Sequence, residues 1–395
     1  MTKKASIYTY QFWLLCLSNF LFTASFQMMI PELPDYLGSM GGKEYIGYII
    51  ALFTLTAGFA RPFSGKLTDT IGRVPIMALG SIVCFVCSGL YPFMHTVMGF
   101  LFLRFIHGFS TGTKPTATSA YVADIIPEDR RGEAQGMLGI FTATGMSIGP
   151  TIGSYLVVIS SLKVMFFTSS VFALLSILIL ISMKETLPKE HKQPFSFKLL
   201  KIGWDDVFEP RVFAAFLVCL LLSFGSGVTI TLVPDQTKFV GISNKGLFFT
   251  IYTISSLVIR MFFSKSSDKY GRIPVLMISS VILGVSMVIC AFTNSLWLLV
   301  VVAILFGFSN GFNMPTLMAW TVDLSDENYR GRAVATTYIA LEAGIGFGAL
   351  FAGFIYQGNM ENIIIPYILA AVLSFGAFIY LFYQQKNHRQ VLNQA

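Results

Sequence analysis

Two short stretches, GKLTDTIGR at residues 65–73 and SKSSDKYGR at residues 264–272, carry the same charged pattern. Lysine, aspartate, glycine and arginine occupy matching positions in both, and Asp69 and Asp268 lie 199 residues apart. Only 12% of the 395 residues are charged, so a charged segment that occurs twice at this distance is unusual. The repeat indicates that the chain consists of two related halves.

The same spacing recurs well beyond the charged stretches. Further matches at an offset of 199 or 200 residues are Pro34–Asp35 with Pro234–Asp235, Arg61 with Arg260, Asp124 with Asp323, Gly145 with Gly344 and Gly149 with Gly348. So many matches at one offset are not expected from chance. We therefore predict two homologous halves, residues 1–183 and 211–395, joined by a polar linker over residues 184–210.

The chain is far more apolar than a soluble domain. Hydrophobic residues make up 54% of it, and its charged share is about half of the ~25% that is usual in soluble domains. A helix of ~20 apolar residues crosses a hydrocarbon core of ~30 Å. Apolar runs of this length predict twelve transmembrane helices, at residues 11–32, 45–64, 75–94, 97–120, 134–159, 163–183, 211–233, 245–264, 274–292, 295–321, 333–356 and 363–383. The predicted fold is an all-α integral membrane protein, with these helices arranged as two pseudo-symmetric six-helix bundles.

The basic residues predict the orientation in the membrane. Cytoplasmic loops carry an excess of Lys and Arg, and placing both termini in the cytoplasm assigns 19 of the 27 basic residues to the inside and 4 to the outside. This asymmetry accounts for the net charge of +7, so we expect no nucleic acid partner. The opening MTKK precedes an apolar run that is too long for a signal peptide, which predicts an uncleaved first span. We expect a multi-pass protein of the inner (plasma) membrane.

Three motifs resemble those of the major facilitator superfamily. The stretch 65–73 resembles its loop motif between spans two and three, and LRFIHGFSTG at residues 103–112 resembles its span-four motif. GMSIGPTIGS at residues 145–154 resembles the span-five motif GxxxGPxxGG, with Ser154 in place of the last glycine. That motif is associated with drug and metabolite antiporters. The resemblance covers all the predicted spans and implies two bundles that work by alternating access about a central site.

The resemblance also implies that the loop motif and its second copy form a cytoplasmic gate, which latches the two halves together when the cavity opens outward. Gly65 is expected to let span two approach a neighbouring helix, and Gly72 to take the positive φ of a tight turn. Asp69 is expected to accept backbone N–H groups from a helix N-terminus and to pair with Arg73. The predicted gate residues are Gly65, Asp69, Gly72, Arg73, Arg131, Asp268, Gly271, Arg272 and Arg330. The alternative is a solvated basic loop that only sets the topology.

Small residues form a stripe on span five, at Gly145, Gly149, Pro150 and Gly153. Glycines at this spacing allow two helices to pack closely, and a proline can kink a helix. We expect the stripe to seal the outer side of the protein against leak, or to serve ordinary helix packing. The two interpretations are compatible.

Span four carries a polar face. Its polar residues step by 3, 4, 3 and 4 positions, which places them on one side of a helix: Arg104, His107, Thr111, Lys114 and Thr118. Such a face cannot point at lipid, where a central Arg or Lys costs at least ~2.5–3.5 kcal/mol, so it must line water, substrate or an acidic partner. The resemblance implies that spans one, four, seven and ten line the substrate path, which adds Asn19, Gln27, Asn313 and Trp320 as cavity candidates.

Glu342 is the acidic residue that lies deepest in a predicted span. The other nineteen Asp and Glu residues fall in loops or near span ends, whereas Glu342 follows Arg332 by ten residues, ~15 Å along a helix. A carboxyl at that depth is suited to gain and lose a proton, which makes Glu342 the first candidate for proton coupling. The alternative is a static ion pair with a basic residue of span two or four. Further proton-coupling candidates are Glu32, Asp35 and His107, and for His107 the alternative is a structural hydrogen bond.

Together these features predict a secondary active transporter that exchanges protons for an exported small organic solute. The cationic face of span four favours an anionic, zwitterionic or mixed-charge solute. The alternatives are a proton symporter that imports a sugar or metabolite, and a non-transporting membrane receptor or scaffold. A phosphate-binding loop and a His or Cys cluster are both lacking in the sequence, so we expect no enzyme activity, no metal and no cofactor. The expected partners are the small-molecule substrate, protons and the lipid bilayer, and the expected state is a monomer.

Overall fold

The computed structural model describes residues 8–127, 130–190, 192–201, 203, 207–263, 266–325 and 330–394. Within these ranges the regular structure is entirely helical. The α-helices are α1 (Tyr10–Met29), α2 (Leu33–Ser39), α3 (Ile46–Thr70), α4 (Arg73–Leu90), α5 (Val97–Ile125), α6 (Arg131–Ile159), α7 (Leu162–Ile181), α8 (Phe213–Phe239), α9 (Leu247–Phe263), α10 (Ser266–Tyr270), α11 (Arg272–Ala291), α12 (Leu296–Leu324), α13 (Arg330–Tyr356) and α14 (Ile364–Gln394). Short 3₁₀ turns include Ile30–Glu32, Lys43–Tyr45 and Pro210–Val212.

Most of these helices are suited to a membrane. In the described ranges, ten helical stretches are long and apolar enough to cross one: Tyr10–Ser39, Lys43–Thr70, Arg73–Phe93, Glu133–Ile159, Leu162–Ile181, Pro210–Phe239, Arg272–Ala291, Leu296–Leu324, Arg332–Tyr356 and Met360–Lys386. Two further helices coincide with predicted spans: α5, with 29 residues and several charged side chains, and α9, with 17 residues. The predicted all-helical, multi-pass membrane protein is confirmed, and the count of twelve spans stays a prediction.

Equivalent positions of the two halves start their helices in the same way. The side chain of Thr96 accepts a hydrogen bond from the backbone of α5, and Ser295, 199 residues later, does the same for α12. Such caps satisfy backbone N–H groups that have no partner inside a helix. Gly72 precedes α4 with a φ of 138°, and Gly271 precedes α11 with a φ of 91°. These angles are strained for residues other than glycine, which explains why both turns contain one.

The chain divides into two compact units. The first comprises Met1–Ile30 and Thr56–Gly203, and the second comprises Pro31–Leu55 and Trp204–Ala395. The division after Gly203 falls inside the predicted linker. Residues 31–55, which include α2 and the start of α3, group with the second unit, and the sequence-based boundaries did not anticipate this.

In the first unit, α1 packs against α6 and α7, and α4 packs against α5 and α7. The glycines of the span-five stripe lie directly against the α1 backbone. A Cβ atom built on Gly145 would lie 2.8 Å from the carbonyl oxygen of Phe20, and one on Gly149 would lie 2.7 Å from that of Ala24. Side chains larger than glycine would therefore force α1 and α6 apart, as expected where small residues hold membrane helices together.

In the second unit, α8 packs against α13 and α14, α11 against α12 and α14, and α9 against α12. Glycines again mark the closest approaches. Gly348 on α13 contacts the backbone of Phe224 on α8. The start of α3 joins this unit through Gly47, which contacts the backbone at Gly353 on α13.

The close helix approach predicted at Gly65 is not seen among the described residues, none of which has an atom within 4 Å of a Cβ built on this glycine. The close approach of α3 occurs at Gly112 on α5 instead, where an added Cβ would lie 2.6 Å from the carbonyl oxygen of Ala57. The span-four motif, rather than the loop motif, therefore supplies the glycine that brings these two helices together.

The predicted linker is held at several points. The backbone N–H of Gln193 donates to the carbonyl oxygen of Thr70 at 2.7 Å in the first unit. At its other end, the buried carboxylate of Glu209 accepts a hydrogen bond from Arg332 Nε at 2.9 Å. The backbone N–H of Glu209 donates to Thr336 Oγ1 at 2.9 Å, so this end is fixed to α13 in the second unit.

Candidate functional site

Arg73, at the start of α4, is the centre of an ion-pair cluster in the first unit. Its Nε donates to Asp124 Oδ2 at 2.9 Å, and its Nη1 lies 3.1 Å from Asp69 Oδ1. The same Nη1 donates to the carbonyl oxygen of Thr68 at 2.7 Å. One guanidinium thus joins the end of α3, the start of α4 and the end of α5. An arginine suits this role because its donors are fixed in one plane.

Glu185, not Asp69, accepts the backbone N–H groups at the N-terminus of α4. Its two carboxylate oxygens accept from the N–H groups of Arg73 and Val74, each at 3.0 Å. The Asp69 side chain is 70% exposed and pairs with the Arg73 side chain instead. A helix N-terminus favours a carboxylate because it presents unpaired N–H groups. The prediction that Asp69 accepts these N–H groups is therefore corrected. Glu185, which follows α7 in the chain, accepts them instead.

Arg272 repeats the arrangement in the second unit. Its Nε donates to Asp323 Oδ2 at 2.9 Å, and its guanidinium pairs with Asp268. Its Nη1 also donates to Ser267 Oγ at 2.9 Å. Sequence comparison of the halves had found that Asp124 and Asp323 recur, but had not assigned them to the gate. The structure shows that each is a second carboxylate, beside Asp69 or Asp268, that the loop arginine of its own half contacts.

The other two predicted gate arginines follow the ends of α5 and α12. Arg131 Nη2 donates to the carbonyl oxygen of Ala123 at 2.9 Å, so it caps the C-terminus of α5. This is a favourable place for a cation, because the last carbonyl groups of a helix lack partners. The side chain of Arg330 lies outside the part of the chain that the structure describes.

The polar face of α5 is buried in the first unit, as its spacing implies. Arg104 donates to the hydroxyl oxygen of Tyr91 at 3.4 Å. The same hydroxyl lies 3.3 Å from His107 Nδ1, and His107 Nε2 lies 3.4 Å from Cys84 Sγ. His107 is completely enclosed by these neighbours, which favours the structural hydrogen bond over a role as proton shuttle.

Lys114 lies at the centre of a cage of serine side chains. Its Nζ donates to the hydroxyl oxygens of Ser18 on α1 at 3.0 Å, Ser81 on α4 at 3.1 Å and Ser176 on α7 at 2.5 Å. The ring of Phe22 covers it, with the ring centre 4.7 Å from Nζ. No carboxylate within the described residues pairs with Lys114. The sequence predicted water, substrate or an acid beside this amine, whereas the observed partners are neutral hydroxyl groups.

The remaining cavity candidates are also placed inside single units. In the first unit, Asn19 on α1 donates to Thr142 Oγ1 on α6 at 2.6 Å. In the second unit, Asn313 on α12 accepts from Ser279 Oγ at 2.5 Å. Thr111 and Trp320 are buried, and Gln27 is half-buried. The role of all these residues in lining a substrate path stays a prediction.

Glu342 lies near the middle of α13 and is half-buried. It interacts electrostatically with Cys219 on α8, the helix against which α13 packs. Its position near the middle of a long helix is observed, and its depth in the membrane stays a prediction. Its role in proton coupling stays a prediction.

The other two acidic candidates form a charge cluster in the second unit, which we term the Lys245 cluster: Glu32, Asp35, Lys238 and Lys245. Lys245 Nζ lies 2.8 Å from Glu32 Oε2 and 2.7 Å from Asp35 Oδ2. Lys238 Nζ lies 3.3 Å from the same Asp35 oxygen. Burial opposes the positive charge of Lys245, but the two carboxylates outweigh it and raise the pKa of this lysine. Sequence reasoning missed Lys245, which it assigned only to the outer loops.

Both halves of the sequence match one known protein family. The sequence profile of the Major Facilitator Superfamily matches residues 15–239 and again residues 237–394. The chain belongs to the major facilitator superfamily. This superfamily member is a transporter.

Several bacterial proteins are similar to this superfamily member in sequence. The quinolone resistance protein NorA of Staphylococcus aureus (strain Mu50) is 24% identical over 401 aligned positions, which cover 97% of this chain and 98% of NorA. Multidrug resistance protein 1 of Bacillus subtilis (strain 168) is 30% identical over 200 positions, which cover 50% of this chain and 51% of that protein.

Solved transporter structures share the fold of this superfamily member. The nucleoside transporter NupG has a TM-score of 0.72 at 16% identity, covering 95% of this chain and 99% of NupG. The human organic anion transporter MFSD10 has a TM-score of 0.71 at 19% identity, covering 94% of this chain and 98% of that one. At such identities the likeness establishes the fold and not the substrate.

Proposed function

We propose that this protein is a proton-coupled exporter of small organic solutes that works by alternating access as a monomer in the plasma membrane. In this proposal the chain crosses the membrane twelve times, as two six-helix bundles, residues 1–183 and 211–395, joined by the linker 184–210. Both termini lie in the cytoplasm, as the distribution of basic residues predicts. The substrate is a small molecule and the driving ion is the proton.

The observation that carries the mechanism is the pair of arginine–aspartate clusters. Arg73 with Asp124, and Arg272 with Asp323, have the same Nε-to-Oδ2 distance of 2.9 Å at positions 199 residues apart. Each cluster joins the end of one long helix to the start of another. A pair of equivalent clusters is what a gate needs when two related halves move against each other. The predicted cytoplasmic gate is therefore extended to include Asp124 and Asp323.

Export rather than import is supported by two observations. The span-five motif at residues 145–154 resembles that of antiporters, and its glycines lie against α1. The similar proteins in bacteria are named for resistance to quinolones and to multiple drugs. We therefore propose drugs of mixed charge, such as quinolones with a carboxylate and a basic amine, as the first substrates to test.

Glu342 is the proposed proton carrier, with Glu32 and Asp35 as the alternatives. It is the acidic residue placed near the middle of a long apolar helix, and only part of its surface is covered. A carboxyl in such a position can exchange a proton without unfolding the helix. His107, which is enclosed by Tyr91 and Cys84, is the weaker candidate.

Proteoliposomes with an imposed pH gradient test this proposal. Addition of a transported quinolone to wild-type vesicles is expected to drive proton movement in the direction opposite to that of the drug. Glu342→Gln is expected to reduce this flux by about tenfold or more, because an amide cannot carry the proton. Glu361→Gln, at an exposed site in the same half, is the matched control.

The sign of the flux separates the alternatives. Drug and proton moving in the same direction would identify a symporter. Binding of solutes without any proton movement would favour a receptor or scaffold. Undiminished flux in Glu342→Gln would move the coupling site to the Lys245 cluster.

A further inference from the structure

The part of the linker at residues 192–201, which we term the aromatic segment, is attached to the end of α3. The backbone N–H of Gln193 donates to the carbonyl oxygen of Thr70 at 2.7 Å. Lys66 Nζ donates to the carbonyl oxygen of Lys201 at 2.8 Å. Thr70 is the last residue of α3, and Lys66 precedes it by about one turn. Both ends of the aromatic segment therefore lie beside the last turn of α3, within the first unit.

One side of the aromatic segment is fixed by apolar contacts inside the first unit. The 3₁₀ turn Phe197–Leu200 brings Leu199 and Leu200 against a buried apolar cluster. This cluster includes Leu67 on α3 and Leu180 on α7. The two leucines and the two hydrogen bonds to α3 thus determine which side of the segment faces outward.

The other side of the aromatic segment exposes two phenylalanines. Phe195 is 54% exposed and Phe197 is 81% exposed. Their ring centres lie 5.5 Å apart with an angle of 70° between the ring planes, so the two rings form one apolar surface. Adjoining apolar groups that are exposed in this way indicate an interaction surface, because water solvates them poorly.

Basic groups accompany the two rings. Residues 192–201 contain three lysines and no acidic residue, and Lys66 adds a fourth basic group through its contact with Lys201. Lys192 and Lys201 are exposed. A partner for this surface must therefore combine negative charge with an apolar layer. Anionic phospholipids do so, and interfacial segments that bind them carry aromatic and basic residues side by side.

The position of the aromatic segment on α3 agrees with contact to a lipid surface. Ala57 of α3 packs against Gly112 of α5. Phe59 follows Ala57 by two residues, a rotation of about 200°, so it points away from α5, and it is 63% exposed. Lys66 follows Phe59 by seven residues, which places both on one face of α3. The predicted span at residues 45–64 ends just before Lys66, so the segment joins this exposed face where the apolar part of the helix ends.

We propose that the aromatic segment is a binding surface for anionic phospholipids, with Phe195 and Phe197 inserted between the headgroups and Lys192 and Lys201 against their phosphates. The orientation proposed above assigns these lipids to the cytoplasmic leaflet. The surface goes beyond the proposed function, because it involves neither the transported solute nor the driving proton. Lipid then holds the aromatic segment on one side, and α3 holds it on the other.

Fluorescence quenching by labelled lipids tests this surface. A bimane fluorophore is attached to Ser196→Cys, an exposed position between the two phenylalanines. The five native cysteines are buried, so the unsubstituted protein serves as the labelling blank. The full-length protein is placed in nanodiscs of phosphatidylcholine alone, or of phosphatidylcholine mixed with phosphatidylglycerol. Both kinds of nanodisc contain the same fraction of a lipid that carries a nitroxide near its headgroup.

Quenching is expected to be about threefold stronger in the anionic nanodiscs, because the lysines draw the segment to negatively charged headgroups. Lys192→Gln with Lys201→Gln is expected to remove most of this difference, and Lys192→Arg with Lys201→Arg is expected to keep it. Phe195→Ser with Phe197→Ser should weaken quenching in both kinds of nanodisc, because the apolar insertion is lost. Lys163→Gln, at an exposed position near the start of α7, is the matched control and should behave as the unsubstituted segment does.

Equal quenching in neutral and anionic nanodiscs would overturn the proposal. Inorganic phosphate added to the anionic nanodiscs is expected to leave the quenching unchanged, and full competition by it would assign the lysines to a free anion instead. A bimane response to soluble polyglutamate in neutral nanodiscs, without extra quenching in anionic ones, would assign the surface to an acidic protein. The proton-flux assay is independent of these readouts. Flux without a lipid preference would remove the lipid surface and keep the exporter, whereas a lipid preference without flux would do the reverse.

Discussion

At the scale of single residues, polar groups inside the helices are held by specific partners from other helices. Lys114 shows this most clearly, because its amine contacts hydroxyl groups from three helices of the first unit. The hydroxyl groups also contact one another: Ser18 Oγ and Ser176 Oγ lie 2.9 Å apart, and Ser81 Oγ lies 3.3 Å from Ser176 Oγ. The serine cage can therefore satisfy its own hydrogen bonds without the lysine.

Replacing Lys114 tests whether its charge or its volume supports the fold. Lys114→Met keeps most of the volume, so its free energy of unfolding should change by about 1 kcal/mol or less. Lys114→Ala should lower it by about 2–5 kcal/mol, because it leaves a cavity. Thermal unfolding in detergent measures both, with Lys163→Met as the exposed control. Equal losses for Met and Ala would show that the ammonium group itself is needed, and a folded Lys114→Met without export would support the cavity role.

The sequence predicted the buried polar face of α5 but not the partners of its residues. The 3, 4, 3, 4 spacing placed Arg104, His107 and Lys114 on one face, and all three are buried. Their partners were not predictable, because Ser81 and Ser176 sit in apolar spans where a single serine has no pattern of its own. Glu185 was missed in the same way, since only the folded chain brings it to the start of α4.

At the scale of helices, contact between membrane helices depends on how closely two backbones approach. Lipid is as apolar as the side chains, so burial alone gives little attraction, and small residues that allow tight packing supply it. Gly145 and Gly149 bring α6 against α1, and in the second unit Gly344 and Gly348 bring α13 against α8. The glycines that recur after 199 residues therefore mark equivalent helix contacts in the two units. The sequence predicted this part of the fold.

A valine at Gly149 is expected to separate α1 from α6. Its Cβ would lie 2.7 Å from the carbonyl oxygen of Ala24, so overpacking should lower the free energy of unfolding by about 1–3 kcal/mol. Gly139→Val is the matched control, since no other described part of the chain lies within 4 Å of a Cβ at that position of the same helix. The midpoint of thermal unfolding compares the two variants. Equal midpoints would mean that α6 moves aside at little cost.

At the scale of the whole molecule, the repeat places an equivalent charged cluster in each unit. The aspartates that pair with Arg73 and Arg272 are partly exposed, with Asp69 at 70%. Exposed ion pairs contribute only about 0–1 kcal/mol to stability. The proposed gate role of the clusters agrees with so small a contribution to stability.

Removing either loop arginine should impair transport and spare folding. Arg73→Ala and Arg272→Ala are each expected to lower drug export in proteoliposomes by about tenfold, with free energies of unfolding within about 1 kcal/mol of the wild type. Arg73→Lys should restore only part of the export, because an ammonium group lacks the planar donors that contact Asp69 and Asp124 together. Lys189→Ala, in an exposed part of the linker, is the control. A strong effect in one unit and none in the other would show that the clusters are not equivalent.

The two carboxylates at the ends of the linker have a consequence for how the protein can be divided. Glu185 fastens one end to α4, and Glu209 fastens the other to α13. A gene split between the codons of Gly203 and Val207 would leave each fragment with its own anchoring acid. This junction is therefore the natural place for complementing fragments or for the insertion of a reporter domain.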